Sequence, residues 1–473
     1  MNAPGRQNLL RKLPAIGELL RAPRVIEWLN DQPPALVADC LRAATEQLRQ
    51  QILNDDAGRC GAMHLSDDAV LDRAEAQLVQ RTRPRLRHAI NATGVILHTG
   101  LGRAVLPACA VDAMLDELKG YSTLAVDRDT GQRVNRDSKV EPLLCELTGA
   151  EAATVVNNNA AATMLVLAAL GAGREVVVSR GELIEIGGEF RLPDVMAQSG
   201  AAMVEVGATN RTHLRDYEHA INERTALLFR AHPSNYRIVG FAESVPVAEL
   251  TKLAHARGLA MVDDLGAGAL VSLSQFGLPH EPTMGESIAA GADVVLASTD
   301  KLIGAGQGGV ILGRRELIAK IRKHPLARAV RADKMCLMAL ERTLPLFRDV
   351  ERLKREHPTY RMLATPAAAL AARAAALAEA IAQATPACAV CVADDVGYLG
   401  SGSLPMEALP TQVVRITCDA VRPDRLARAL RLDDACVFAR VADDAVVMDA
   451  RTITDAQVAR IAAAVGRCVN VGD

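Results

Sequence analysis

Lys301 stands where a lysine can do covalent chemistry. It closes the run Ser298-Thr-Asp-Lys301, just after an apolar, β-branched segment at 294–296 that reads as a buried strand. A glycine-rich turn, Gly304-Ala-Gly-Gln-Gly-Gly309, follows, and a second apolar run at 310–312 returns the chain to the sheet. A lysine held at a strand end can form a Schiff base with an aldehyde cofactor, pyridoxal phosphate. A solvated loop lysine is the plain alternative. Gly304, Gly306 and Gly309 also fit the dinucleotide fingerprint G-x-G-x-x-G, which needs a helix opening on its last glycine. Here the last glycine opens a strand, so that reading fails.

A pyridoxal phosphate site also needs an anion cradle, a carboxylate opposite the ring nitrogen and a group over the ring. Asn157, Asn158, Asn159, Ala160 and Ala161 lie between an expected strand (153–156) and an expected helix (160–170). Small residues at a helix N-terminus let backbone N–H groups and the helix dipole meet a phosphate. An ordinary capping turn is the alternative. Asp263-Asp264 ends an expected strand at 259–263. Neighbouring side chains on a strand point to opposite faces, so at most one of the two faces the ring, and Asp264 is preferred. His232 follows an expected strand at 226–230 and is read either as a cofactor contact or as a structural histidine. Arg180 and Glu185, just beyond the strand 175–179, are weaker candidates.

These stations must be positioned by short strands alternating with helices, the pattern of a parallel sheet covered on both faces. Further strands are expected at 203–206, 412–416 and 445–448, and helices at 248–257 and 367–382. The fold class is therefore α/β, with an aspartate-aminotransferase-like large domain at 87–335 and a smaller α+β domain at 336–473. The first 86 residues form a separate helical module with its linker. Val37, Leu41, Ala44, Leu48 and Ile52 recur at helical spacing, 54–61 reads as a polar turn, and Ser66 caps a helix carrying Asp67 and Asp68 in its first turn. Arg81, Arg83, Arg85 and Arg87 alternate around Pro84, as a basic extended strap or a solvated linker.

Composition narrows the class further. Among 473 residues the formal net charge is -2, so the chain makes no bulk electrostatic case for a polyanion, and any nucleic-acid contact must come from local patches. Ten cysteines are scattered without framework spacing. Cys388-x-x-Cys391 has no second pair or histidine nearby to complete a zinc site, so no metal is expected. With no signal-type leader and no run of membrane-spanning length, a cytoplasmic protein without membrane or DNA partners is expected.

Taken in order, Ile90-Asn-Ala-Thr-Gly-Val-Ile-Leu-His-Thr-Gly-Leu-Gly-Arg103, Gly120-Tyr-Ser, Val155-Val-Asn-Asn-Asn-Ala-Ala-Ala162, Ser234-Asn-Tyr-Arg-Ile-Val-Gly-Phe241, Asp264-Leu-Gly-Ala-Gly268 and Asp300-Lys-Leu-Ile-Gly304 resemble bacterial selenocysteine synthase, the L-seryl-tRNA(Sec) selenium transferase family. The resemblance spans nearly the whole chain. It implies a type I pyridoxal-phosphate enzyme, a homo-oligomer built as a ring of dimers (a decamer), that turns seryl-tRNA(Sec) into selenocysteinyl-tRNA(Sec) with selenophosphate. By matching position, Lys301 is the Schiff-base lysine, and Arg103, Arg328 and Arg331 bind selenophosphate. The N-terminal module is implied to grip the tRNA. Two places depart from the family pattern: Gly100 stands where Asn is frequent, and Ala305-Gly-Gln-Gly-Gly309 where Gly-Pro-Gln-Ala-Gly is. The alternative is a related lyase acting on a free amino acid or amino sugar acid, which would have little use for the N-terminal module.

Overall fold

Prolines and a serine set where the N-terminal helices begin. The computed structural model describes residues 3–54, 66–187 and 190–470, and the chain divides into two units, 1–88 and 89–473. In the first unit Pro23 and Pro34 open the helices Pro23–Asp31 and Pro34–Asn54, where a missing N–H costs nothing. Ser66 Oγ accepts from Ala69 N at 3.2 Å to cap Asp67–Thr82, as expected. Val37, Leu41, Ala44 and Leu48 meet Val70, Leu71, Ala74 and Leu78 in this unit's own core. Arg81 is still helical, so of the expected strap at 81–87 only 83–87 is non-helical. The expected turn at 54–61 lies outside the described residues apart from Asn54, the last residue of its helix.

The second unit is built on a seven-stranded sheet. Its order is Ala152–Val156, Gly309–Gly313, Val294–Ser298, Ala260–Gly266, Thr225–Ala231, Glu175–Ser179 and Ala202–Val206. Gly309–Gly313 runs antiparallel to both neighbours; the other contiguous pairs are parallel. Strands such as Val294–Ser298 are buried along their whole length, which requires apolar cover on both faces. Alternate residues supply it: Val155 and Val295 enter one core, Val156 and Val294 the other. The C-terminal ends of the parallel strands converge on one rim, where ligands bind in open α/β sheets.

A second sheet of five strands contains Cys388–Gly400, Ser403–Cys418, Val437–Ala442 and Ala445–Asp449. Its fifth strand departs from the expected domain limits. Ile90–Ala92 pairs in parallel with Val437–Ala439, so the residues after the linker join the C-terminal sheet. Ala367–Ala384 is long and apolar enough by composition to cross a membrane, contrary to the expectation that no run is. The cause is its alanine content: Leu370, Ala374, Leu377 and Ile381 form one helical stripe packed in the core against this sheet. Cys388 is buried, with its thiol pushed up to about 11 by desolvation, and Cys391 is exposed. No metal-holding cluster occurs among the described residues.

Candidate active site

Four strand ends bring their side chains to one cavity of about 260 Å³. Lys301 enters it from beyond Val294–Ser298 and is only 4% exposed. Burial depresses its pKa, the nearby Arg103 guanidinium lowers it further, and Asp300, Asp264 and Glu281 act in the opposite sense. An amine so placed holds its proton weakly and is a better nucleophile and base.

Asp264 faces Lys301's cavity from the strand Ala260–Gly266. Its carboxylate accepts from Asn159 Nδ2 at 2.9 Å, Thr163 Oγ1 at 2.8 Å and Gly266 N at 3.0 Å. Complete burial still raises its pKa, with those bonds working against the shift. Asp263 points to the opposite face. It is fully buried, pairs with Arg230 at 2.8 Å and accepts from Ser287 Oγ at 2.6 Å. The two aspartates thus separate into one cavity group and one structural group.

The asparagine turn contributes less than its whole length. Asn158 caps the helix Asn159–Gly171, its Oδ1 accepting from Ala161 N at 2.8 Å. That bond uses the Ala161 amide, and Ala161 does not line the cavity. Asn157 is exposed and its amide donates to Val330 O at 2.9 Å, so it too lies outside. Asn158, Asn159 and Ala160 remain in the wall, and the first-turn amides of Asn159 and Ala160 have no partner within the helix. Gly309 permits this closeness: a Cβ there would overlap the Asn158 carbonyl.

His232 lines the cavity, with Nε2 3.3 Å from Glu281 Oε1. Arg103 lines it too, in a left-handed conformation (φ 64°), and donates to Asp300 Oδ2 at 2.6 Å. Arg180 and Glu185 are outside, paired at the surface with Glu205 and Arg191. Arg328 and Arg331 line a different cavity of about 290 Å³ with Arg133, Arg136 and Arg322. Arg328 and Arg331 also do not share a helix. The helix Pro325–Ala329 ends between them, and Arg331 forms a bridge with Val156. Desolvation and the neighbouring arginines Arg136, Arg328 and Arg133 lower the Arg331 pKa, the signature of crowded positive charge.

Sequence reasoning missed Thr163 and Glu281. Thr163 stands four residues after Asn159, and that helical spacing was a usable signal for a shared face. Glu281, in a loop between glycine- and proline-containing turns, carried no local signal.

The residues present suit pyridoxal phosphate. A buried amine of low basicity, a buried carboxylate and a helix N-terminus share one cavity, and the buried Asn159 Oδ1 lacks a partner there. Strand order and cavity together define a type I pyridoxal-phosphate enzyme fold. A solved D-glucosaminate-6-phosphate ammonia-lyase shares this fold, with a TM-score of 0.55 and 21% identity over 84% of this chain and 98% of that one.

The chain belongs to the L-seryl-tRNA selenium transferase family, whose model matches residues 89–454. The model for the selenocysteine synthase N terminal region matches 10–49. An L-seryl-tRNA(Sec) selenium transferase of Solidesulfovibrio magneticus is 46% identical over 460 residues, 96% of this chain and 97% of that protein. The protein of that name from Desulfomicrobium baculatum is 45% identical over 462 residues, 97% and 98% of the two chains.

Proposed function

We propose that this protein converts seryl-tRNA(Sec) into selenocysteinyl-tRNA(Sec), with pyridoxal phosphate as cofactor and selenophosphate as selenium donor. The observation that carries it is the buried Lys301 amine sharing one cavity with Asp264, in a chain of this family. Lys301 would hold the cofactor covalently, the amides of Asn159 and Ala160 would meet its phosphate, and Asp264 would keep a proton on its ring nitrogen. When bound, the cofactor supplies an electron-withdrawing ring that stabilises negative charge at the substrate α-carbon.

The chain's own groups do the rest. The Lys301 amine, whose charged form burial disfavours, takes the α-proton. Arg103, steadied by Asp300, presents a fork suited to a tetrahedral oxyanion. Arg328 and Arg331 line a separate cavity of arginines and would offer a second place for the selenophosphate anion. The separate helical unit at the N-terminus accounts for a macromolecular substrate by gripping the tRNA through phosphate contacts and shape. A cytoplasmic homo-oligomer, a ring of dimers, completes the reading.

The test is incubation with seryl-tRNA(Sec) and selenophosphate, scoring selenocysteinyl-tRNA, with free serine as control. Selenocysteinyl-tRNA formed only from the esterified substrate is the expected result. Turnover of free serine at an equal rate would reject the assignment in favour of a small-molecule lyase.

A further inference from the structure

Removing hydroxide from a seryl group demands an acid, because hydroxide leaves poorly unless its oxygen is protonated as the bond breaks. The groups lining the Lys301 cavity can be sorted by whether they can give a proton. Arg103 is engaged with Asp300 at 2.6 Å, and a guanidinium does not deprotonate in proteins. Asp300 is held by that same guanidinium. Asp264 accepts from Asn159, Thr163 and Gly266. Lys301 is occupied with the α-proton. Among the described lining residues His232 is the remaining ionisable side chain, and imidazole is the group most often used for general acid catalysis.

The setting of His232 fits that task. Its Nε2 lies 3.3 Å from Glu281 Oε1, in side chains 18% and 5% exposed, and its buried Nδ1 has no partner. A buried carboxylate beside an imidazole fixes the orientation of the ring, as in hydrolase triads. The backbone fixes the other end: His232 N donates to Asp264 O at 2.8 Å, tying the ring's base to the strand that carries Asp264. The same ring lines an adjoining cavity of about 350 Å³, a route by which water can restore its proton.

We propose that His232, oriented by Glu281, is the acid that protonates the departing β-oxygen of the seryl group. This rests on the selenium-transfer reading above. The Cα–H bond gives its proton to the Lys301 amine and its electron pair to a new Cα=Cβ bond. The Cβ–O bond breaks toward oxygen, which takes the His232 proton and leaves as water. Return of the Lys301 proton to His232 through water closes the cycle with one water released and no net proton consumed.

Changing the leaving group tests this. Single-turnover elimination, without selenium donor, is compared for seryl-tRNA(Sec) and β-chloroalanyl-tRNA(Sec), since chloride departs without protonation. H232Q should slow the seryl reaction about 100-fold or more and the chloro reaction less than about fivefold. E281Q should show the same selectivity with a smaller loss, about tenfold, and carries the comparison if H232Q does not fold. The visible spectrum of bound cofactor should be unchanged in both variants. An equal loss on both esters, no loss on either, or an altered spectrum overturns the proton-donor role alone. Wild-type protein inactive on both esters overturns the selenium-transfer reading as well.

Discussion

His357 Nε2 lies 3.0 Å from the carbonyl oxygen of Ile303, two residues beyond Lys301. The imidazole is fully buried and packs at 5.0 Å, edge on, against Tyr360, whose hydroxyl donates to Leu302 O at 2.9 Å. A neutral imidazole donates from Nε2, so both rings hold the backbone that follows the reactive lysine. Gly304 makes room for this, since a Cβ there would overlap the ring and its φ is +66°.

Burial lowers the His357 pKa from 6.5 to about 4. The unfolded chain therefore binds the extra proton first as pH falls. Stability from the neutral ring is complete above about pH 6.5 and declines toward pH 4, by on the order of 3 kcal/mol in all. H357Q, which can keep the bond to Ile303 O, should remove this part of the slope. Urea unfolding of wild type and H357Q between pH 7 and 4 reads the difference, and parallel slopes would refute it.

Lys301→Ala should abolish both turnover and the visible absorbance of the cofactor-bound protein, because no other amine lines that cavity among the described residues. Absorbance spectroscopy after reconstitution is the measurement. Retained activity would reject the covalent role.

The adjacent aspartates should fail in different ways. D264N keeps the shape but removes the charge facing the ring, so turnover should fall at least about 100-fold with the fold intact. D263N leaves Arg230 buried without its ion partner and should cost roughly 3–5 kcal/mol of stability. Thermal unfolding and kinetics on the two variants separate the cases; the reverse pattern would overturn the assignment.

Arg328 and Arg331 have no ion-pair partner among the described residues, in a cavity lined by five arginines. R328A and R331A should raise the KM for selenophosphate about tenfold or more while elimination of water from the seryl ester proceeds at the wild-type rate. Steady-state selenium transfer and single-turnover elimination measure the two halves. An elimination defect of equal size would place these residues elsewhere in the reaction.

The N-terminal unit has its own core around Val37, Leu41, Val70 and Leu78. Deleting residues 1–80 should leave cofactor absorbance intact and weaken tRNA binding strongly, with the loss greatest at low salt. Filter binding across a salt series is the check, and unchanged affinity would rule out the tRNA role.

What could be read in advance followed from local physics. Short continuous apolar runs located the strands of the large sheet to within about three residues, because both faces of that sheet need apolar cover. Strands 90–92 and 437–442 escaped, since they are short or half exposed and find partners far away in the chain. That at most one of Asp263 and Asp264 faces the cavity needed only side-chain alternation; which one does was decided by packing, which turns Asp263 to Arg230 and Asp264 to Asn159. The cradle was drawn too long because the Asn158 cap, which consumes the Ala161 amide, is a matter of side-chain geometry.

By itself the sequence determined the α/β class, the lysine that can carry a cofactor, and the family, because strand periodicity, strand-end residue types and ordered motifs are all local along the chain. Only the tertiary structure decided that Glu281 meets His232, that His357 braces the segment after Lys301, and that Arg328 and Arg331 occupy a cavity apart from the lysine. Such contacts join segments distant in the chain, and their distances are set by how whole elements pack. No spacing along a one-dimensional string encodes them.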